Sequence, residues 1–206
     1  MLLAAAAMAA VATFASAADL VVHIQTAADA PVENAIVYAV PASPPPRATG
    51  LRYEIDQVNR QFVPRVNVVQ TGTEVRFPNS DNIRHSVYSF SPSKVFTLKL
   101  YAGRSADPVV FDKAGLVVLG CNIHDLMVSW LLVVDTPYFA RTDFSGAATL
   151  ARLPPGEYTL RIWHEPMTED QQVAETVHVD AGAQPIPHAV HINVPTNPPA
   201  PPARSP

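Results

Sequence analysis

The sequence predicts an all-β fold, a Greek-key sandwich built from many short strands. The 206 residues include 21 prolines and 8 glycines, residue types that favour turns. Between the turns lie short segments, often rich in valine, in which apolar and polar residues alternate or apolar residues run on without a break. Short strands at this spacing, separated by turn signals, are typical of two packed antiparallel sheets.

The first 17 residues predict an exported protein. They are almost all Ala, Leu, Val, Met and Phe and end in Ala15-Ser16-Ala17, which is typical of a secretory signal peptide with a small-residue cleavage site. The run is too short to span a bilayer, and alanine is a poor strand former, which disfavours a buried first strand. We therefore expect a periplasmic protein without a membrane span, although no Lys or Arg precedes the apolar run.

Charge and length bound the remaining possibilities. The net charge is −4 and no basic cluster is present, so nucleic acid is not an expected partner. The roughly 190 residues after the signal allow one large or two small domains. We divide the chain into a signal peptide (1–17), N-terminal strands (18–50), a central segment (51–135), a C-terminal sandwich region (136–194) and a Pro-rich tail expected to be disordered (195–206).

The strands follow from local pattern. Residues 20–25 alternate and predict a half-buried strand, and residues 35–40 predict a second. Residues 41–50 contain three consecutive prolines and predict a loop, because proline lacks the N–H that a central strand donates. In the C-terminal region, turns are expected at 142–146 and 153–156, and strands at 157–163, 172–179 and 188–194.

The central segment predicts a longer series of strands. Phe62, Pro64, Val66 and Val68 are expected to share one face of a strand. Residues 116–119 and 128–134 are apolar on both faces, as buried sandwich strands are, so residues 122–127 should form the connection between them. Further elements are expected as a turn at 71–72 and strands at 75–77, 86–90, 95–101 and 108–112.

Cys121, His124 and Met127 form an unusual cluster on the connection 122–127 and its edge, and His85 follows a polar loop upstream. One Cys and two His in a trigonal arrangement, with a weak axial Met, is the ligand set of an electron-transfer copper site. Cys121 is the only cysteine, and an unpaired cysteine in an exported chain is either reactive or bound to something. A single cysteine excludes a copper centre bridged by two cysteines and a structural zinc site with several thiolates.

Each of the four residues has a role in this hypothesis. His85 anchors one mononuclear copper ion from the strand side, and Cys121 supplies the short Cu–S bond. His124 lies near the surface and offers an edge for electron entry and exit. Met127 is the long axial ligand that tunes the reduction potential.

Three further residues are expected to support the site from outside the ligand set. Asn79 and Asp81 would fix the His85 loop by hydrogen bonds to backbone amides. Ser86, directly after His85, is the third such neighbour.

Plainer interpretations remain open. Cys121 alone would be read as an inert buried cysteine, and Met127 as a core methionine that opens an apolar strand. Cys121 and His124 also match a thiol nucleophile and its base, but no third residue is evident to orient the base. The remaining histidines are read as surface or packing residues: His23, His164, His178, and His188 and His191 on opposite faces of their strand.

The central segment resembles the cupredoxins. The pattern of Phe62-x-Pro64, Thr71-Gly72-Thr73-x-Val75-x-Phe77-x-Asn79-x-Asp81 and His85-Ser86-Val87 is similar to the first half of a plastocyanin-like domain, and the spacing of Cys121, His124 and Met127 is similar to that of amicyanin. The run from 79–85 to 135–139 also resembles bacterial periplasmic proteins labelled methylamine utilisation protein. The resemblance implies a type 1 copper site at His85, Cys121, His124 and Met127.

Three positions depart from the cupredoxin pattern. Ser86 stands where many members have Asn, Gly120 stands where many have a bulky residue before the cysteine, and Asn122 and Ile123 fill a gap that often contains Pro. These departures concern the potential, colour and rigidity of the site more than its existence.

The flanks resemble a carboxypeptidase regulatory-like or transthyretin-like sandwich. The residues that carry this likeness are 30–37, 142–146 and 153–160. Either both flanks form one such domain with the cupredoxin-like segment inserted into it, or residues 20–40 supply the first cupredoxin strands.

The sequence thus predicts a periplasmic blue-copper protein, not an enzyme, that carries single electrons. The resemblance implies a redox partner such as a c-type cytochrome or a dehydrogenase. Two alternatives stay open: a copper-binding or copper-delivery protein that uses the same ligands, and a metal-free interaction module built on the flanking sandwich.

Overall fold

The computed structural model describes residues 16–45, 48–103, 107–182 and 186–194. Most of the expected signal peptide (1–17) and the whole Pro-rich tail (195–206) therefore lie outside the described residues. The strands are β1 (Ala18–Thr26), β2 (Ile36–Pro41), β3 (Arg52–Glu54), β4 (Asp56–Val58), β5 (Gln61–Val63), β6 (Val66–Gln70), β7 (Thr73–Arg76), β8 (His85–Ser91), β9 (Lys94–Tyr101), β10 (Val109–Phe111), β11 (Gly115–Gly120), β12 (Val128–Val134), β13 (Phe139–Arg141), β14 (Ala147–Leu153), β15 (Gly156–Trp163), β16 (Val173–Val179) and β17 (Ile186–Ile192).

The predicted all-β class is confirmed. Besides the strands, the described residues contain one short 3₁₀ turn, Glu169–Gln171. In the part of the chain that the structure describes, no helix has the length and apolar character needed to cross a membrane.

The N-terminal strands pair with the C-terminal ones. β1 lies between β14 and β17, and β2 lies between β13 and β15, with β16 beyond β15. Leu20, Val22 and Ile24 of β1 are buried, as the alternation predicts. The strands before residue 51 therefore pair with the strands after residue 135.

The central segment forms its own sheets. β6, β12, β11, β8 and β9 make a five-stranded sheet in that order, opposite a three-stranded sheet of β10, β7 and β3 and the hairpin of β4 and β5. The core enclosed by these strands includes Phe62, Phe77, Phe111 and Leu131. Cys121 and Met127 belong to this same core, which places the predicted site at its edge.

β11 and β12 are shared between two cores, which explains their unbroken apolar runs. Leu131 and Val133 of β12 face the core of the central segment, whereas Trp130 and Leu132 face the core of the flanking sandwich. Because successive residues of a strand point to opposite faces, a sheet covered on both sides needs apolar residues at every position. The prediction that 116–119 and 128–134 are buried on both faces is therefore confirmed.

One strand prediction is wrong. Phe62 packs in the core of the central segment, whereas Val66 and Val68 pack against the flanking sandwich, so the four predicted residues do not share a face. The chain breaks at Pro64, which lacks an N–H for a ladder, and β6 begins two residues later as a parallel neighbour of β12. The amide of Asn67 holds this break by donating to the Pro64 carbonyl at 2.9 Å.

Candidate metal centre

His85 is the first residue of β8 and is fully buried. Its Nε2 lies 2.7 Å from Oδ2 of Asp81. Because an ionised carboxylate only accepts, Nε2 carries the ring proton and Nδ1 keeps a free lone pair. That Nδ1 lies 3.9 Å from Sγ of Cys121. The ring is therefore held in the tautomer that a metal ligand requires.

Cys121 directly follows β11 and is only 4% exposed. Nδ1 of His124 lies 3.8 Å from its Sγ, and the rings of His124 and His85 are neighbours, with centroids 4.9 Å apart. The turn that follows His124 is closed by the Met127 N–H, which donates to the His124 carbonyl at 3.0 Å. The three ligand atoms of His85, Cys121 and His124 all lie within 4.8 Å of one another. The structure therefore brings together three residues that are separated by up to 39 positions in the sequence.

The two S–N separations fit an ion shared by the sulfur and each nitrogen. Nitrogen and sulfur bonded to a first-row ion at about 2.0 and 2.3 Å, and spread by about 120°, lie about 3.7 Å apart. The two S–N distances of 3.8 and 3.9 Å lie close to this value. The donor set of one thiol and two imidazoles is the one that copper electron-transfer sites use. Among the described residues, this is the only group of three or more His, Cys, Asp and Glu side chains close enough to hold an ion.

Met127 is 1% exposed and belongs to the core of the central segment. Its backbone N–H closes the turn that follows His124. This burial agrees with both interpretations of Met127, as an axial ligand and as a core methionine.

Asp81 is the residue that orients His85. Its Oδ1 accepts the N–H of Asn59 at 2.7 Å, and its Oδ2 accepts the N–H of Arg60 at 2.9 Å. These bonds, with the Arg60 amide contributing most, lower the pKa of Asp81 and keep it ionised. Asp81 was expected to fix the His85 loop by hydrogen bonds to backbone amides. The amides that it accepts belong to Asn59 and Arg60, and it also contacts the imidazole of His85 directly.

Asn79 braces the loop before His85. Its side-chain oxygen accepts the Asp81 N–H at 3.0 Å, and its side-chain nitrogen donates to the carbonyls of Ile83 and Tyr101, both at 2.9 Å. The Asn79 side chain is buried, and its three hydrogen bonds tie the loop before His85 to the end of β9.

Ser86 bridges the two halves of the site. Its Oγ accepts the Asn122 N–H at 2.9 Å and lies 3.8 Å from Sγ of Cys121, where its own proton can point. A hydroxyl at this position thus supplies a donor to the sulfur and a fixed acceptor for the ligand loop.

His124 is the ligand nearest to solvent, and its neighbours keep it neutral. Partial burial, the adjacent His85 and the guanidinium of Arg60 lower the pKa of His124, against a smaller opposing effect of Asp81. A neutral imidazole is the form that binds a metal, because only it has a free lone pair.

Asn59, Arg60 and Tyr101 are neighbours of the site that the sequence did not predict. Tyr101 donates to the Phe77 carbonyl at 2.6 Å and accepts from the side chain of Gln57, and burial raises its pKa to about 12. The Asn59-Arg60 turn carries a weak signal, because Asn favours two-residue hairpin loops, but nothing in the sequence connects it to Asp81.

The remaining histidines lie apart from the cluster. His188 contacts Glu175, His191 contacts Asp29, and His178 lies near Asp180. His188 and His191 have separate partners, in agreement with their expected position on opposite faces of β17.

Comparison with known proteins finds likeness only among solved structures. No family model matches the chain, and no curated protein matches it. A copper-containing nitrite reductase from Thermus scotoductus SA-01 is 25% identical, with a TM-score of 0.38, over 46% of this chain and 27% of that one. The chain thus spans about a quarter of that reductase.

Two smaller proteins are matched over almost their whole length. A purple cupredoxin from Nitrosopumilus maritimus is 22% identical with a TM-score of 0.35, over 40% of this chain and 98% of that one. A reduced amicyanin variant is 21% identical with a TM-score of 0.36, over 47% of this chain and 98% of that one. In each of these matches more than half of the present chain has no counterpart.

Proposed function

We propose that this protein binds one copper ion in a type 1 site and carries single electrons between redox partners. The observation that carries the proposal is the convergence of two imidazole Nδ1 atoms on one thiol Sγ, at S–N distances close to those around a shared ion. When bound, the copper ion supplies a change of one unit in oxidation state. The protein residues hold the ligands so that this change needs little rearrangement.

The frame around the ligands supports this role. His85 is fixed by β8 and by Asp81, and Cys121 is fixed by the end of β11. Both residues are buried, so their positions are set by packing as well as by hydrogen bonds. We propose that Met127, three residues after His124, completes the set as the weak fourth ligand.

His124 provides the route by which an electron leaves the copper ion toward solvent. The loop that carries it also exposes two apolar side chains, Ile123 at 50% and Leu126 at 94%. An exposed apolar loop around a ligand edge offers a contact surface for a partner protein. We propose a periplasmic partner of the c-type cytochrome or dehydrogenase class, reached after export by the N-terminal signal. The specific likeness to methylamine utilisation proteins stays a prediction from the sequence.

The test is copper binding read by colour. We expect addition of Cu(II) to the purified protein to give an intense thiolate-to-copper band in the visible spectrum, with one copper per chain. The band should vanish in Cys121→Ser and persist in the matched control His191→Gln, whose imidazole lies outside the cluster. A colourless wild-type protein would contradict the proposal.

A second measurement separates electron transfer from copper delivery. We expect reversible one-electron reduction of the coloured protein with the copper retained in both oxidation states. Loss of copper to a chelator on reduction would favour copper delivery, and absence of copper uptake would favour a metal-free interaction module.

A further inference from the structure

The hairpin of β4 and β5 lies against residues 79–85, the loop that precedes His85, although no sequence motif links the two. Its two-residue turn, Asn59-Arg60, directs both backbone N–H groups at the carboxylate of Asp81. The carboxylate in turn contacts Nε2 of His85 at 2.7 Å. A continuous chain of hydrogen bonds therefore runs from the hairpin turn to the buried imidazole.

The turn has an unusual conformation for its residues. Asn59 has φ 53° and Arg60 has φ 59°, both in the left-handed region. A two-residue hairpin loop of this type favours glycine at its second position, and a left-handed residue with a side chain costs on the order of 1 kcal/mol. Neither amide is needed for the hairpin ladder, which pairs Val58 with Gln61. The strained turn thus presents two free donors to Asp81.

A second set of contacts fixes the hairpin on the loop. Oδ2 of Asp56 accepts the Ser80 hydroxyl at 2.7 Å, and the Gln57 N–H donates to the Pro78 carbonyl at 3.1 Å. The Ser80 N–H also donates to the Gln57 carbonyl at 3.0 Å. Three hydrogen bonds therefore join the hairpin to the loop.

We propose that the β4–β5 hairpin is an electrostatic clamp on His85, in which Asp81 is a positioning residue that lowers the reduction potential of the bound ion. This inference rests on the proposed copper site. It adds that the hairpin, through Asp81, helps to set the reduction potential of this site.

The charge of Asp81 acts on the metal through His85. A carboxylate that accepts the second ring N–H makes an imidazole a stronger donor to its metal. A stronger donor and a nearby negative charge stabilise the more highly charged oxidised ion over the reduced one. Screening is weak here, because the His85 side chain is 0% exposed and that of Asp81 12% exposed.

The decisive variant is Asp81→Asn. It keeps the shape and one acceptor oxygen but removes the charge. We expect the ratio of Cu(II) to Cu(I) binding constants to fall about tenfold, which raises the potential by about 59 mV for one electron. An unchanged or lowered potential in folded, copper-loaded Asp81→Asn would overturn the proposal. Should this variant not fold, Asp81→Ser removes the same charge and is read in the same way.

Two variants control for structure. Arg60→Lys keeps both the backbone N–H and the positive charge near His124, so we expect an unchanged potential. Ser80→Ala removes a contact with Asp56 without changing the charge next to His85, so it too should leave the potential unchanged. A shift in either control as large as that of Asp81→Asn would show that loop position, not charge, sets the potential.

A metal-free measurement separates this inference from the proposed function. Nitrogen NMR of the metal-free protein should show His85 with its proton on Nε2, and a mixture of tautomers in Asp81→Asn. If the wild type binds no copper but shows this tautomer shift, the copper proposal fails while the clamp stands. If copper binds and the tautomer does not depend on Asp81, the clamp is wrong.

Discussion

The ring of Tyr88 lies directly against Gly120. A Cβ added at Gly120 would stand 2.6 Å from Cζ and 2.7 Å from Oη of Tyr88. The two residues are paired across β8 and β11, and Cys121 follows Gly120 at once. Glycine therefore allows the strand carrying His85 to approach the strand that ends at Cys121. The same contact explains why this chain has no bulky residue before its cysteine.

Gly120→Ala tests this contact. The new methyl group must displace a buried ring, and such overpacking costs about 1–3 kcal/mol. We expect the free energy of unfolding, measured by denaturant titration of the metal-free protein, to fall by that amount. Tyr88→Ala in the same chain removes the clash, so the double variant should lose less stability than the sum of the two single variants. Additive losses would show that the ring and the glycine are not coupled.

Ser86→Ala tests the bridge between the two halves of the site. The variant loses the acceptor for the Asn122 N–H and the donor to the Cys121 sulfur, a loss of about 1 kcal/mol of stability. A hydrogen bond to the sulfur draws electron density from the metal, so its removal should lower the reduction potential. Voltammetry of the copper form gives the sign, and Ser86→Thr, which keeps the hydroxyl, serves as the control. A raised potential in Ser86→Ala would contradict this assignment.

Met127→Leu separates an axial ligand from a core methionine. The side chain is 1% exposed, and a swap of similar volume usually costs less than about 1.5 kcal/mol. If the thioether binds copper, the variant should keep its fold and copper but show a higher potential and a changed visible spectrum, because the weak axial donor is gone. A spectrum and potential identical to the wild type would assign Met127 to the core alone.

The candidate ligands could be proposed from the sequence because their chemistry is local and visible. Cys121, His124 and Met127 stand on one short loop, and no other cysteine competes for the assignment. The clamp on His85 could not be predicted in the same way. Asn59 and Arg60 act through backbone N–H groups, which every residue except proline has, so their side chains carry no signal of the role.

The positions of the strands were predicted better than the pairing between them. The alternation of β1 is a local property, whereas its pairing with β14 and β17 joins residues more than 120 positions apart. The face of Val66 was predicted wrongly for a related reason, since the periodicity of a strand cannot show that Pro64 interrupts it. In both cases the missing information is which core lies beside the strand, and this depends on the whole fold.

His164 lies outside the candidate metal site and is expected to make the free energy of unfolding depend on pH. Burial lowers its pKa, against a smaller opposing effect of its contact with the Glu33 carbonyl. In the unfolded chain a histidine titrates near about 6.5. Below that pH the unfolded state therefore binds a proton that the folded state does not bind, so the free energy of unfolding falls as pH decreases.

His164→Gln should remove this part of the pH dependence. We expect the free energy of unfolding of the metal-free variant to change less than that of the wild type between pH 8 and pH 5, measured by denaturant titration at each pH. Any constant cost of the substitution is read at pH 8, where histidine is neutral in both states. Carboxylates with a lowered pKa, such as Asp112 and Asp143, lose their effect at a more acidic pH and do not enter this window. Parallel curves for the two proteins would show that His164 is not the group that titrates.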